Sequence, residues 1–385
     1  MVKILYALNG VFHKGGTETV VLNYYNNINP QMFHIDFLVH GHERDCVDNT
    51  IHQYLRSKGS KIFYVTPRGE NYFLNIHEIK EIFLNNDYDI VHSHMDAAGM
   101  FVLRIAKKKG IEVRISHSHN TASSYLGSLT FIQKIHRYIL EYARKELCKY
   151  ANVRIACSKE AGEWLFGDND FILINNAINV EKYMFNENVR SLYRKKLKLD
   201  SKYVVGHVGR FADQKNHTYL MDVFYEIKQK IPSSVLLLVG SGEHENMIRT
   251  KVQNLGLSDQ VIFLGNRNDV SNLMQAMDIF LLPSLHEGLP MVGVEAQAAG
   301  LPCIVSDSVS HELNLTDNIY FKSINESPKL WAEQVEKIMS QDITRSIGAK
   351  QVVEAGFDIS SIVKTLENIY IKSINTFTGS KYESF

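Results

Sequence analysis

Two tandem alternations of short apolar runs with longer helical patterns constrain this chain more than any other feature. In the first, residues 2–8, 35–39, 61–65, 90–92, 113–117, 153–156 and 172–174 are compact segments of strand length, rich in β-branched residues. Helical patterns at 17–27, 97–108 and 131–149 fall between them. A second alternation opens near Tyr203, with strand-like runs at 204–208, 235–239, 261–264, 279–282 and 303–305. Its helical stretches lie at 218–230, 245–255, 270–276 and 290–299. Helices between consecutive strands mark parallel sheets. The pattern predicts two doubly wound, Rossmann-like α/β domains. Ligands of such sheets bind beyond the carboxyl ends of the strands, which places the expected cleft between the two domains.

A chain of 385 residues exceeds the usual size of a single core, and its 45% apolar and 22% charged content is ordinary for a globular protein. Lys+Arg and Asp+Glu balance at 42 each, so the broad basic field of a nucleic-acid binder is missing. The balance is uneven along the chain, however. Residues 101–150 carry ten basic side chains against three acidic ones. Such a run reads either as solvated helix faces or as contact with an anionic acceptor or membrane surface. Cys46, Cys148, Cys157 and Cys303 form no C-x-x-C pair, which fits a reducing cytosol. The N-terminal run is too short for a signal peptide, and no run approaches the roughly 18–20 apolar residues that span a bilayer. The expectation is a cytoplasmic protein, at most peripheral on the inner face of the cell membrane.

The densest chemistry lies in Glu287-Gly288-Leu289-Pro290-Met291-Val292-Gly293-Val294-Glu295. Gly288 permits a tight turn, Pro290 suits the first turn of a helix, and Gly300-Leu301-Pro302 is a stop signal. One carboxylate therefore precedes a helix N-terminus and the other projects about two turns later. Free N–H groups at that N-terminus favour a phosphate, and the carboxylates accept hydrogen bonds from sugar hydroxyls. Phosphate and hydroxyls together describe a nucleotide-sugar.

Ser284-Leu285-His286-Glu287-Gly288-Leu289-Pro290 through Glu295-Ala296, then Ala299-Gly300-Leu301-Pro302, resembles the donor-site signature of retaining glycosyltransferases of family 4. These are glycosyl transferases of group 1, two-domain GT-B enzymes, here of the bacterial surface-polysaccharide type. The resemblance spans nearly the whole chain. It implies a first domain at 1–178 and a donor domain at 179–359. The joint lies near Asn176-Ala177-Ile178-Asn179, where Ala177 replaces the glycine usual in such hinges. A last helix near 360–374 is expected to cross back and complete the first domain with 360–385.

Other positions agree with this reading. Gly15-Gly16-Thr17-Glu18, after the first strand, matches the family's Gly-Gly-x-Glu turn facing donor diphosphate and acceptor. In Gly209-Arg210-Phe211-Ala212-Asp213-Gln214-Lys215-Asn216, Arg210 and Lys215 match the family's Arg…Lys pair. A guanidinium fork and an ammonium can neutralise a departing diphosphate. Gly240 and Gly242 form a strand-to-helix turn with room for a ligand, and Arg267 is the candidate beside the nucleotide base. His92-Ser93-His94 and His117-Ser118-His119 each place two rings on one strand face. The resemblance implies that His119 reaches toward the transferred sugar, with His117 second, and assigns His94, His117, Gly15 and Gly16 to the acceptor side. The same pairs allow a zinc site and a metal-dependent hydrolase. Asp168-Asn169-Asp170 reads as a turn rather than a metal motif. Ile132, Ile135, Ile139 and Tyr142 form a helical stripe whose commoner explanation is core packing, with a membrane face as the alternative.

The function expected is transfer of a sugar from a nucleoside-diphosphate sugar, UDP-linked by preference, to a glycan or polyprenyl-linked hydroxyl. Retention of anomeric configuration is implied by the family. Arg210, Lys215, Glu287 and His119 carry the chemistry, without an obligatory metal or other cofactor and without nucleic acid. Glu287 orients the sugar and Glu295 the ribose. The alternatives are a sugar-nucleotide epimerase of similar fold, the metal-dependent hydrolase, or a binding relative that has lost catalysis.

Overall fold

The computed structural model describes residues 1–12, 16–45, 49–120 and 131–379. The chain divides into two compact units, Met1–Ala177 with Ile359–Phe385, and Ile178–Asp358. We call these unit 1 and unit 2.

Unit 1 holds a seven-stranded sheet of β1 (Val2–Leu8), β2 (Phe33–His40), β3 (Ile62–Val65), β4 (Ile90–His94), β5 (Val113–Ser118), β6 (Val153–Ala156) and β7 (Ile172–Leu173). Its order is β3-β2-β1-β4-β5-β6-β7, and every pairing is parallel. The central strands are buried on both sides. Ile4, Tyr6 and Leu8 enter one core, while Leu5 and Ala7 enter the other. That alternation is what a sheet covered by helices on both faces requires. The C-terminal helix Ile359–Thr378 sends Leu366, Tyr370, Ile371 and Ile374 into the first of these cores.

Unit 2 repeats the plan with six strands: β8 (Tyr203–Val208), β9 (Ser234–Val239), β10 (Val261–Phe263), β11 (Ile279–Leu282), β12 (Cys303–Ser306) and β13 (Ile319–Lys322). Their order is β10-β9-β8-β11-β12-β13, again all parallel. Ile178, the first residue of this unit, bridges to Asp358, its last. Strand β13 was not expected from the sequence. It is a half-buried edge strand, so it lacks the continuous apolar run that marks the central ones.

In both sheets the strand order therefore reverses between the first strand and the fourth. In unit 1 this switch lies between β1 and β4, and in unit 2 between β8 and β11. Splayed crossovers leave a crevice at such a point, at the carboxyl ends of the strands.

One expectation fails clearly. Helix Phe131–Leu147 does not bury its apolar stripe: Ile135, Ile139 and Tyr142 are 42–51% exposed, and Tyr138 beside them is 77% exposed. Ala143 and Leu147 anchor it instead, on the neighbouring turn of the wheel. The side chain of Ile132 lies outside the described residues.

Candidate functional site

At the switch of unit 2, the loop after β8 meets the loop after β11. The backbone N–H of Leu285 donates to the Gln214 carbonyl (2.8 Å), and the Gln214 side chain donates to the His286 carbonyl (3.1 Å). Across this junction Lys215 and Glu287, 72 residues apart, form an ion pair. Both side chains are at most 15% exposed, and the Ser284 hydroxyl donates to the same Glu287 oxygen at 2.7 Å. The Glu287 backbone is held too, since its carbonyl accepts from the Ser310 N–H at 3.1 Å. Arg210 is exposed, and among the described residues no ion pair or hydrogen bond engages its guanidinium. Asn216 closes the loop in the left-handed region (φ 52°) and caps helix His217–Lys230.

The helix after Glu287 runs Met291–Ala298, with Pro290 as its N-cap rather than in its first turn. Proline offers no capping side chain, so no side-chain hydrogen bond satisfies the N–H groups of the first turn. Met291 and Val292 are partly exposed there, and a Cβ added at Gly288 would meet nothing within 4 Å. This is an open, electropositive helix end beside a nearly buried Lys–Glu pair.

Glu295 points back from this helix toward Tyr183 and Lys182. Burial pushes its carboxyl up to about 7, against the opposing pull of the Tyr183 hydroxyl and the Lys182 charge. Arg267 differs from expectation. Its guanidinium makes a two-pronged contact with Asp269 (2.8 and 2.7 Å), which drags Asp269 down to about 2. A base beside this turn would find that fork already occupied.

Gly240 and Gly242 are also explained differently. Gly240 has φ 130°, and a Cβ there would stand 2.1 Å from the Gly209 carbonyl oxygen. One at Gly242 would stand 2.4 Å from the Phe211 oxygen. The room expected for a ligand is filled by the loop after β8, which is stitched to this turn by Phe211 N–H to Ser241 O (3.0 Å). These glycines shape the Arg210–Lys215 loop.

The switch of unit 1 is of another kind. His92 and His94 on β4 and His117 on β5 are fully buried, with His119 just beyond β5, and the four rings lie together. The His92 ring centroid lies 4.1 Å from that of His94, and His117 lies 4.2 Å from His119. The Tyr370 hydroxyl bonds His92 Nδ1 at 2.7 Å and the Tyr6 hydroxyl at 2.8 Å. His94 Nδ1 lies 2.8 Å from His119 Nε2. Burial depresses the pKa of His92, His94 and His117 well below the usual histidine value, and each is further opposed by its neighbours. Nitrogens of His92, His94 and His117 lie within 4.8 Å of one another and form a group able to hold a metal ion. The group has no carboxylate or thiolate to offset a dication's charge.

His94 and His117 are thus sealed in, not presented on an acceptor-facing surface. His119 is partly exposed, but neither ring nitrogen faces outward: Nε2 is bonded to His94 and Nδ1 is buried. Gly16 opens helix Gly16–Asn27 in free space, and Gly15 lies outside the described residues. Asp168 and Asn169 sit in the exposed turn after helix Lys159–Phe166, as expected. Sequence reasoning overlooked Asp96, at the end of β4. Its φ is +46°, and it binds the residues that follow β5.

Residues 189–352 match the family model for glycosyl transferases group 1, and residues 14–182 match that for Glycosyltransferase Family 4. EpsF of Bacillus subtilis (strain 168), named as a glycosyltransferase, is 30% identical over 383 residues, covering 96% of both chains. The UDP-Gal:alpha-D-GlcNAc-diphosphoundecaprenol alpha-1,3-galactosyltransferase of Escherichia coli is 30% identical over 308 residues, 74% of this chain and 76% of that one. Among solved structures, Anabaena Alr3699/HepE in complex with UDP matches with a TM-score of 0.77 at 19% identity, over 96% of this chain and 99% of that one. WaaG, a glycosyltransferase involved in lipopolysaccharide biosynthesis, matches with a TM-score of 0.71 at 17% identity, over 98% and 100%. At such identities the structural likeness speaks for the fold, which is GT-B.

Proposed function

The chain belongs to the glycosyl transferases of group 1, and from that premise we propose that it moves a sugar from a nucleoside-diphosphate sugar to a hydroxyl of a glycan or lipid-linked glycan. The observation that carries this reading is the switch point of unit 2. An exposed guanidinium, a nearly buried ammonium and an uncapped helix end are gathered there on two loops tied together by hydrogen bonds. Neutralising the departing diphosphate is the main electrostatic demand of glycosyl transfer, and preformed donors of this kind meet it without reorganisation.

In this reading Arg210 and Lys215 share the diphosphate with the N–H groups of helix Met291–Ala298. Glu287, which Lys215 holds in place, turns its second oxygen to the sugar hydroxyls. Glu295 accepts from the ribose. Front-face displacement with retention needs no protein carboxylate as nucleophile, because the acceptor hydroxyl attacks the anomeric carbon from the face the diphosphate leaves and its proton passes to the leaving phosphate oxygen. UDP is the first-choice carrier, given the UDP-galactose named for the Escherichia coli relative and the UDP bound by Alr3699/HepE. That relative's diphosphoundecaprenol acceptor, with the exposed stripe on helix Phe131–Leu147, favours a lipid-linked acceptor and peripheral contact with an anionic membrane.

A panel of UDP, GDP and their sugars tests the reading by melting temperature, because a ligand of the folded state raises it. Uridine compounds are expected to give the largest shift, and mass analysis of products should show a glycosylated acceptor. A chain that melts identically with every nucleotide, or that only epimerises its donor, would overturn the proposal.

A further inference from the structure

We infer that Asn120, oriented by Asp96, is a residue of unit 1 that meets a sugar hydroxyl, with the His119 ring as its support. The inference rests on the glycosyltransferase reading.

The ends of β4 and β5 are neighbours in the sheet, and Asp96 follows the one as His119 and Asn120 follow the other. Asp96 adopts φ +46°, a region that costs a non-glycine residue about 1–3 kcal/mol and persists only when its surroundings enforce it. Two hydrogen bonds enforce it. Asp96 Oδ1 accepts the His119 backbone N–H at 2.9 Å, and Oδ2 accepts from Asn120 Nδ2 at 2.8 Å. One carboxylate thus sets the course of the chain as it leaves β5.

The second bond also decides which way the Asn120 amide faces. Nitrogen and oxygen of an amide are nearly alike in shape, but a carboxylate accepts and never donates. The NH2 must therefore point at Asp96, and the carbonyl oxygen turns away from it. Asn120 is exposed, and no described residue engages its side-chain oxygen, which is an acceptor presented at the carboxyl edge of the sheet. The complementary chemistry is a hydroxyl that donates.

The His119 ring is engaged differently in this structure. Its Nε2 is taken by His94 at 2.8 Å, its Nδ1 is shielded from solvent, and its ring stacks on His117. Burial lowers its pKa, while Asp96 and Asn176 act in the opposite sense. The ring is a spacer that joins the buried array to the Asp96–Asn120 clamp.

A sugar hydroxyl has two sources, the donor's sugar or the acceptor glycan, and a titration separates them. The full chain and its variants are titrated with UDP, with UDP-galactose, UDP-glucose and UDP-N-acetylglucosamine, and with an alkyl-diphospho-N-acetylglucosamine. Asn120→Ala should bind UDP as the wild type does and lose about tenfold toward either the UDP-sugar or the alkyl-diphospho sugar. Asp96→Asn, which keeps a residue tolerant of this backbone but frees the amide to flip, should lose a similar factor. The exchange Asp96→Asn with Asn120→Asp again pairs an amide with a carboxylate and leaves an acceptor facing outward, so affinity should return. A purely structural clamp would shift melting in these variants without that loss and recovery of affinity. Unchanged affinity for both sugar ligands in Asn120→Ala, with UDP still bound, would overturn the inference alone. Failure of the wild type to bind any uridine compound would overturn the glycosyltransferase reading beneath it.

Discussion

The two switch points are built on one topology and filled with opposite chemistry. In unit 2 the crevice beyond β8 and β11 is charged, with Arg210, Lys215 and Glu287 on loops held by backbone hydrogen bonds. In unit 1 the ends of β4 and β5 hold neutral, stacked imidazoles, and Asp96 and Asn120 carry polarity from them to the surface. The doubly wound sheet supplies the place, and the first few residues after each strand decide what is recognised there. A charged crevice suits a diphosphate. A neutral one suits hydroxyls.

The largest expected effect breaks the charged side. Lys215→Ala removes the partner of a nearly buried Glu287, which should cost roughly 3–5 kcal/mol of stability. Sugar transfer should fall by about a thousandfold; calorimetric melting and an initial-rate assay check the two effects. Arg210→Ala, on an exposed side chain, should lower turnover by about a hundredfold while leaving the melting temperature unchanged. Equal losses of stability in both variants would erase the distinction between a built-in and a ligand-waiting cation.

Next comes the loop that shapes the charged crevice. Gly240→Ala would drive a Cβ to 2.1 Å from the Gly209 oxygen, at a φ that side chains rarely adopt. A loss of about 2–4 kcal/mol is expected, with UDP binding lost alongside. Gly16→Ala, where a Cβ meets nothing, should melt normally. Urea unfolding of both variants measures the contrast.

A smaller effect follows from pH. The Glu295 carboxyl titrates near 7 in the folded chain, above its unfolded value of about 4.5. The folded state then binds more protons than the unfolded one between those values, so this group's contribution falls as pH rises from about 4.5 through about 7 and stays low above that. Glu295→Gln should therefore be the more stable protein at pH 8, by about 3 kcal/mol, with the gain vanishing below about pH 4. Melting curves across that range test it, and a gain of equal size at both ends would refute the assignment.

The smallest effect concerns the exposed stripe of unit 1. Replacing Ile139 and Tyr142 with serine should leave melting nearly untouched, because both are exposed. Flotation with vesicles rich in anionic lipid should fall several-fold. Binding that is equally strong in the variant would place the contact elsewhere.

Much of this was legible in the sequence, for a physical reason. Central strands buried on both faces read as apolar runs, so β1, β6 and β11 matched their expected limits, whereas the half-buried edge strand β13 did not show. Arg210, Lys215 and Glu287 could be picked out by residue type and turn chemistry. Their pairing could not, because 72 residues separate Lys215 from Glu287 and only the sheet order brings β8 beside β11. The same limit hid Asp96, whose meaning lies in a left-handed φ and a contact with Asn120 just beyond the neighbouring strand. The stripe on helix Phe131–Leu147 misled in the usual way, since periodicity gives a face but not what covers it.

Calorimetric titration of UDP into the wild type, Arg210→Ala and Lys215→Met tests the central claim most directly. One molecule of UDP should bind per chain, with each substitution weakening binding by about a hundredfold and the heat of binding falling with it. Absence of uridine binding in the wild type, or equal affinity in all three proteins, would contradict a diphosphate held at the switch point of unit 2.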